Sequence, residues 1–114
     1  MIEYRIYNEV YENIIKGLKK VEFRLLNEKS KQIKIGDEIK FTVFDDLSKD
    51  LIVKVTQLHY FNNLDDLWDQ NHFIILDNIK NKEEFKKLFY NIFGKEEVEK
   101  HKIIGIEFVL IERN

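Results

Sequence analysis

The stretch that decides the fold is GLKKVEFR, residues 17–24. Before it, Val10, Ile14, Ile15 and Leu18 fall on one helical face, and Asn8 is placed to cap that helix through its side-chain oxygen. Gly17 can take the left-handed conformation with which helices end. Beyond it the period changes from 3.6 to 2. Val21, Phe23 and Leu25 alternate with Lys20, Glu22 and Arg24, the pattern of a half-buried strand.

Working outward, residues 2–6 read as a short opening strand. Downstream, Gly36-Asp37 marks a turn, and Ile39, Phe41 and Val43 alternate as a second strand. Residues 45–50 read as a polar turn, after which Leu51, Val53 and Val55 continue as a third strand. Leu64, Leu67 and Trp68 predict a short helix behind an Asn63 cap. Asn81 and Glu84 have capping-box spacing, and Phe85, Leu88, Phe89, Ile92 and Phe93 form a helical stripe stopped by Gly94. A short helix over 96–101 and a long apolar strand over 103–111 close the chain. The pattern predicts a mixed α+β fold, mainly β: a small barrel of strands in a meander, flanked by an early helix and a late helical insertion. Closure of the sheet would remove most of its exposed edges.

The chain has 114 residues, no proline and four scattered glycines, so residues 1–114 are expected to form one domain without an internal boundary. With 44% hydrophobic and 35% charged residues, it can bury one modest core, unlike a disordered chain. The net charge of −2 excludes a nonspecific DNA coat, which needs an overall positive field. Any nucleic-acid contact must come from local charge. Cysteine is absent, which rules out thiolate chemistry and suits a reducing compartment. The opening MIEYRIYNEV has no apolar run of signal-peptide length, and no segment approaches a membrane span. A cytoplasmic protein without membrane contact is expected.

Local charge is concentrated in one place. Lys16, Lys19, Lys20, Arg24, Lys29, Lys31 and Lys34 crowd a single segment, opposed within it by Glu22 and Glu28. On the strand, Lys20, Glu22 and Arg24 point to one face, with Lys19 at the helix-to-strand junction. Arg24 can fork two N–H groups onto a phosphate or carboxylate. Glu22, flanked by cations, should stay ionised and can orient the lysines or accept hydrogen bonds from a base or ribose. Lys19 can act as a point charge, or as a base if desolvation lowers its pKa. Two readings are open on these residues alone: a ligand cleft, or an exposed ion ladder whose pairs contribute about 0–1 kcal/mol each.

Other residues carry less chemistry. Tyr60, at a strand end, can stack on a base for about 1–3 kcal/mol or pack as a hinge. Phe85, Phe89 and Phe93 read as core. His59, His72 and His101 lie far apart with no close pair, so no metal site is expected. Asp65, Asp66 and Asp69, near a helix start, suit the macrodipole. There is no glycine-rich phosphate loop and no G-x-S-x-G, which excludes P-loop hydrolysis; no cofactor is expected.

GLKKVEFR also matches the ASCH family pattern G-x-K-x-x-E-x-R at every fixed position. LLNEKSKQIKIGDEIKF (25–41) is similar to the family's strand, Lys-bearing turn and Gly-Asp turn, and LIVKVTQLHYFNNLDDLW (51–68) to its next strand, tyrosine and short helix. The terminal IIGIEFVLI resembles its closing strand, so the resemblance covers about two-thirds of the chain. It implies a PUA-like β-barrel with Lys19, Glu22 and Arg24 lining a cleft, Lys29 and Tyr60 beside it, and RNA or a nucleotide-like ligand as partner. Lys20 joins this binding set through the cation cluster. An alternative is hydrolysis of a modified nucleoside or of RNA. Some relatives hydrolyse acetylated cytidine with a lysine, a threonine nucleophile and a glutamate. Lys19 matches their lysine, but Glu22 stands where the threonine would be, which removes the nucleophilic hydroxyl. Catalysis would then rest on Lys19 and on Glu22 activating water. A third reading is a protein-interaction domain using the helix stripe and the closing strand.

Overall fold

The computed structural model describes residues 1–70, 79 and 81–113. Strand β1 (Ile2–Ile6) leads into helix α1 (Asn8–Ile15), and the chain turns at Gly17 into β2 (Val21–Leu25). A 3-10 turn (Ser30–Gln32) precedes β3 (Glu38–Val43) and the long β4 (Asp46–Phe61). Helices α2 (Leu64–Asp69), α3 (Lys82–Phe93) and α4 (Lys95–Lys100) intervene before β5 (Ile103–Arg113). Among the described residues no helix is long and apolar enough to cross a membrane.

Local chemistry sets most element ends. Asn63 Oδ1 accepts the Asp66 N–H at 2.8 Å, and Asn81 Oδ1 accepts the Glu84 N–H at 2.9 Å, so both asparagines satisfy orphan donors of the first turn. Gly17 takes φ +77°, a region that L side chains rarely enter. Asn8 does not cap α1. Tyr7 holds the cap position without a side-chain bond, and the Asn8 side chain instead accepts from Lys49 Nζ at 3.1 Å. On the same helix Leu18 lies past the end, exposed, and Tyr11 joins Ile14 as the buried pair.

The five strands run in the order β1-β3-β4-β5-β2. The expected meander holds for β3, β4 and β5 only. β1 lies parallel to β3, with Ile2 opposite Ile39 and Ile6 opposite Val43, and β2 pairs antiparallel with β5 on the far side. The polar turn expected over 45–50 is also revised. Val43 pairs with Asp46 while Thr42 pairs with Asp50, so the turn is Phe44-Asp45 and residues 47–49 form a bulge. The bulge absorbs the extra residues and keeps Leu51, Val53 and Val55 on the buried face.

The sheet curls into a half-barrel and is not closed by a hydrogen-bonded ladder, because its edges are β1 and β2. Two side chains span the open seam between them. Arg24 Nη2 donates to the Arg5 carbonyl at 2.9 Å, and Lys29 Nζ donates to the Glu3 carbonyl. Glu3 and Arg5 are two apart on an edge strand, so their carbonyls face the same way.

Both faces of the sheet are covered. Tyr4, Tyr11, Ile14, Ile39, Phe41, Val53, Ile104 and Ile106 belong to one core, and Leu25, Phe61, Leu67, Phe85, Phe89 and Ile103 to a second core beneath the helices. Adjacent Ile103 and Ile104 thus point to opposite sides and are both fully buried, which explains the uninterrupted apolar run of β5. Between β2 and β4, Gly105 leaves room for an aromatic ring. A Cβ there would come within 3.0 Å of a Phe23 ring carbon and 3.4 Å of the His59 Cβ. Gly105→Val is therefore expected to cost about 1–3 kcal/mol by overpacking in urea denaturation, whereas exposed Lys54→Ala should stay within about 0.5 kcal/mol.

Candidate functional site

The register of β2 decides which way its charges face. Glu22 pairs with Ile106 and Arg24 with Ile104, while Phe23 pairs with Gly105 and Leu25 with Ile103. Directly opposed residues share a face of the sheet. Glu22 and Arg24 therefore lie on the side of the first core, and Leu25 lies with Ile103 in the helix-covered one. The charged side of β2 thus faces the first core and its apolar side the helices. β5 is apolar on both faces, and helices α2 to α4 supply the aromatic surface that takes Phe23 and Leu25.

Glu22 is a buried carboxylate, only 8% exposed. Its Oε1 lies 3.3 Å from Lys19 Nζ, and its Oε2 accepts from Arg24 Nε at 3.1 Å and Nη2 at 2.8 Å. Burial by itself pushes this carboxyl up. The charges of Lys19 and Arg24 and their hydrogen bonds more than offset that, and hold it below the usual carboxylate range. Lys19 and Arg24 keep only about a fifth of their side-chain surface in water, so the three form a sheltered cluster and not an exposed ladder. Arg24 also lies over the Tyr4 ring, 4.5 Å from its centre, and Lys29 approaches the same ring at 4.3 Å. Tyr4 is thus in contact with two cations, and burial raises its hydroxyl pKa.

Beside the cluster lies a recess of about 430 Å³. Lys19, Glu22 and Arg24 form its polar wall; Tyr7, Val10, Phe44, Leu88 and Ile92 supply apolar surface. Tyr7 and Phe44 meet edge to face at 5.2 Å, and each is more than half exposed, giving the recess an aromatic lip. Tyr7 and Phe44 carry no signal in the sequence, while Val10, Leu88 and Ile92 show only as members of apolar helical faces. Phe44 falls between the last alternating residue of the second strand, Val43, and the stretch that reads as a polar turn. Leu88 and Ile92 belong to a stripe that reads as core, since periodicity cannot separate a face turned to the core from one turned to a hollow.

The remaining predicted residues are dispersed. Lys29 reaches the cluster through Tyr4. Lys20 is exposed and does not line this recess. Tyr60 shares a cross-strand row with Ile104 and Arg24, which puts it two strands, about 10 Å, from Arg24; it is 57% exposed and outside the recess. His59 Nε2 lies 3.0 Å from Glu107, and His101 Nδ1 2.9 Å from the Glu97 carbonyl; His72 lies outside the described residues. Asp65 is tied to Lys82 at 3.2 Å and Lys86 at 3.4 Å, clamping α2 to α3. Among the described residues no group of side chains is arranged to hold a metal ion.

The cluster makes stability depend on pH in a defined direction. The folded Glu22 carboxyl titrates below its unfolded value, so the stability it contributes is complete above that value, near 4.5, and is lost as pH falls through the folded pKa. Glu22→Gln is expected to cost about 2–4 kcal/mol at neutral pH, somewhat less than the loss for a fully buried pair. The gap from wild type should hold at higher pH and shrink as pH falls below about 4.5, as read by urea denaturation. A gap independent of pH would show that the cations do not hold this charge.

No family model matches the sequence, and no curated protein matches it. Solved structures do. The crystal structure of hypothetical protein PH0355 is 31% identical, covering 96% of this chain and 97% of its own, with a TM-score of 0.78. The solution structure of protein PF0455 from Pyrococcus furiosus is 27% identical, covering 96% of each chain, with a TM-score of 0.73. The ASCH domain from Lactobacillus crispatus JV V101 is 14% identical over 97% of this chain and 80% of its own, with a TM-score of 0.64, a likeness of fold. The chain belongs to one family with hypothetical protein PH0355, and its fold is of the ASCH type.

Proposed function

We propose that this protein binds RNA or a nucleotide-like ligand by taking one unstacked base into the recess above Lys19, Glu22 and Arg24. The observation that carries this reading is the composition of the hollow: about 430 Å³ with one hydrogen-bonding wall and otherwise mostly aromatic and aliphatic walls. A base has the same division, with two apolar faces and a polar edge. The volume falls within the usual range for small-ligand sites, about 300–1,000 Å³. Glu22 offers an acceptor to base N–H groups, while Lys19 and Arg24 offer donors to ring nitrogens and carbonyl oxygens. Single-stranded RNA is commonly read in this way, by bases splayed onto aromatic side chains. The ASCH-type fold and the RNA-related role that the G-x-K-x-x-E-x-R segment implies agree with it.

The same geometry disfavours hydrolysis through Glu22. Both of its oxygens are engaged by cations, and a carboxyl held below its usual range is a weak general base. The protein-interaction reading loses its helix stripe, since Phe85 and Phe89 are buried in the chain's own core and Leu88 and Ile92 face the recess.

Binding of short single-stranded RNA should weaken with salt at a slope of about −2 to −3, as expected for about four cationic contacts. Phe44→Ala and Arg24→Ala should each weaken binding about tenfold, and Lys54→Ala less than about twofold. Fluorescence titration at several salt concentrations checks this. A flat salt response, or equal losses in Lys54→Ala and Arg24→Ala, would remove the recess from the account.

A further inference from the structure

A second hollow, of about 720 Å³, opens on the other side of Arg24, lined by Tyr4, Asn27 and Lys29 among others. It shares Arg5, Arg24 and Phe93 with the first, so the crossing from Arg24 to the Arg5 carbonyl is the partition between them. Arg5, Lys19, Arg24 and Lys29, four cations, and Glu3 and Glu22, two carboxylates, line the pair. This is a local charge of +2 in a chain of net −2. Glu3 is further offset by Lys40 at 3.6 Å.

The two hollows differ in what they can hold. In the first, Lys19 and Arg24 are engaged by Glu22, and the rest of the lining is largely apolar. The second has spare donors. Arg24 commits Nε and Nη2 to Glu22 and Arg5, and its Nη1 has no hydrogen-bonding partner among the described residues. Lys29 Nζ gives one N–H to the Glu3 carbonyl and has two more. Tyr4 also lines this hollow, although its hydroxyl is buried away from solvent.

We infer that the two hollows form one divided site, in which the second takes the phosphate of a nucleotide whose base occupies the first. The ligand class is therefore a phosphate-bearing nucleotide, free or within RNA, and not an uncharged nucleoside. Lys29 and Arg24, both within 4.5 Å of the Tyr4 ring centre, set that preference. This inference rests on the base-binding reading above, and its test separates the two.

Calorimetric titrations would compare the four ribonucleosides, their 5′- and 3′-monophosphates, and inorganic phosphate at low salt. At least one monophosphate should bind about tenfold or more tightly than its parent nucleoside, the gain of a charge-assisted contact. In Lys29→Gln that ratio should fall to within about twofold, while Lys54→Ala should leave it as in the wild type. Inorganic phosphate alone should shift the amide resonances of Tyr4 and Lys29. A wild-type ratio near one, or a ratio that survives in Lys29→Gln, overturns the divided site while leaving base binding intact. Phosphate shifts at Tyr4 and Lys29 without binding of any nucleoside or nucleotide would overturn the base reading, and with it the division. No response to any probe would overturn both.

Discussion

A carboxylate taken out of water destabilises a fold by several kcal/mol unless cations and hydrogen bonds meet it. Glu22 is that carboxylate here, and much of the local architecture answers its demand. Lys19 arrives from the helix-to-strand junction, which the positive φ of Gly17 makes possible. Arg24 arrives from two residues along the same strand, on the same face. With both oxygens met, the charged side of β2 can lie toward the barrel core, and its apolar side is freed to pack under the helices.

The seam between β1 and β2 follows from the same cluster. A ladder between these strands would bring them to about 4.8 Å and leave no room beside Glu22. Side-chain straps from Arg24 and Lys29 to two β1 carbonyls hold the edges together at a greater separation. They also engage polar groups that an open edge would otherwise offer to other strands. The half-barrel thus keeps a hollow on each side of its Arg24 strap, where a closed barrel would have packed side chains.

Helix α3 works on two sides. Phe85 and Phe89 fill the second core against Trp68 and Leu67. Leu88 and Ile92, about a sixth of a turn away, are 39% and 44% exposed and form one wall of the recess. The opposite lip comes from Tyr7 and Phe44, held at the ends of adjacent parallel strands β1 and β3. The recess is therefore assembled from the start of the chain, its first hairpin and its late helix.

Most elements were legible in the residues themselves, because period, caps and glycines act over a few neighbours. The Asn63 and Asn81 caps, the Gly17 and Gly94 stops and the alternating strands all fell where these rules put them. So did the trio Lys19, Glu22 and Arg24, since a spacing of two or three along a strand and its junction brings side chains together whatever the rest does. Sequence alone determined those parts. Only the tertiary structure decided that β1 would join β3 in parallel, that β2 would end at the opposite edge with its charges turned inward, and that Tyr7, Phe44, Leu88 and Ile92 would share a hollow while Tyr60 stayed outside it. Those outcomes depend on register and on which of two apolar faces finds cover, and both are settled by contacts between segments far apart in the chain.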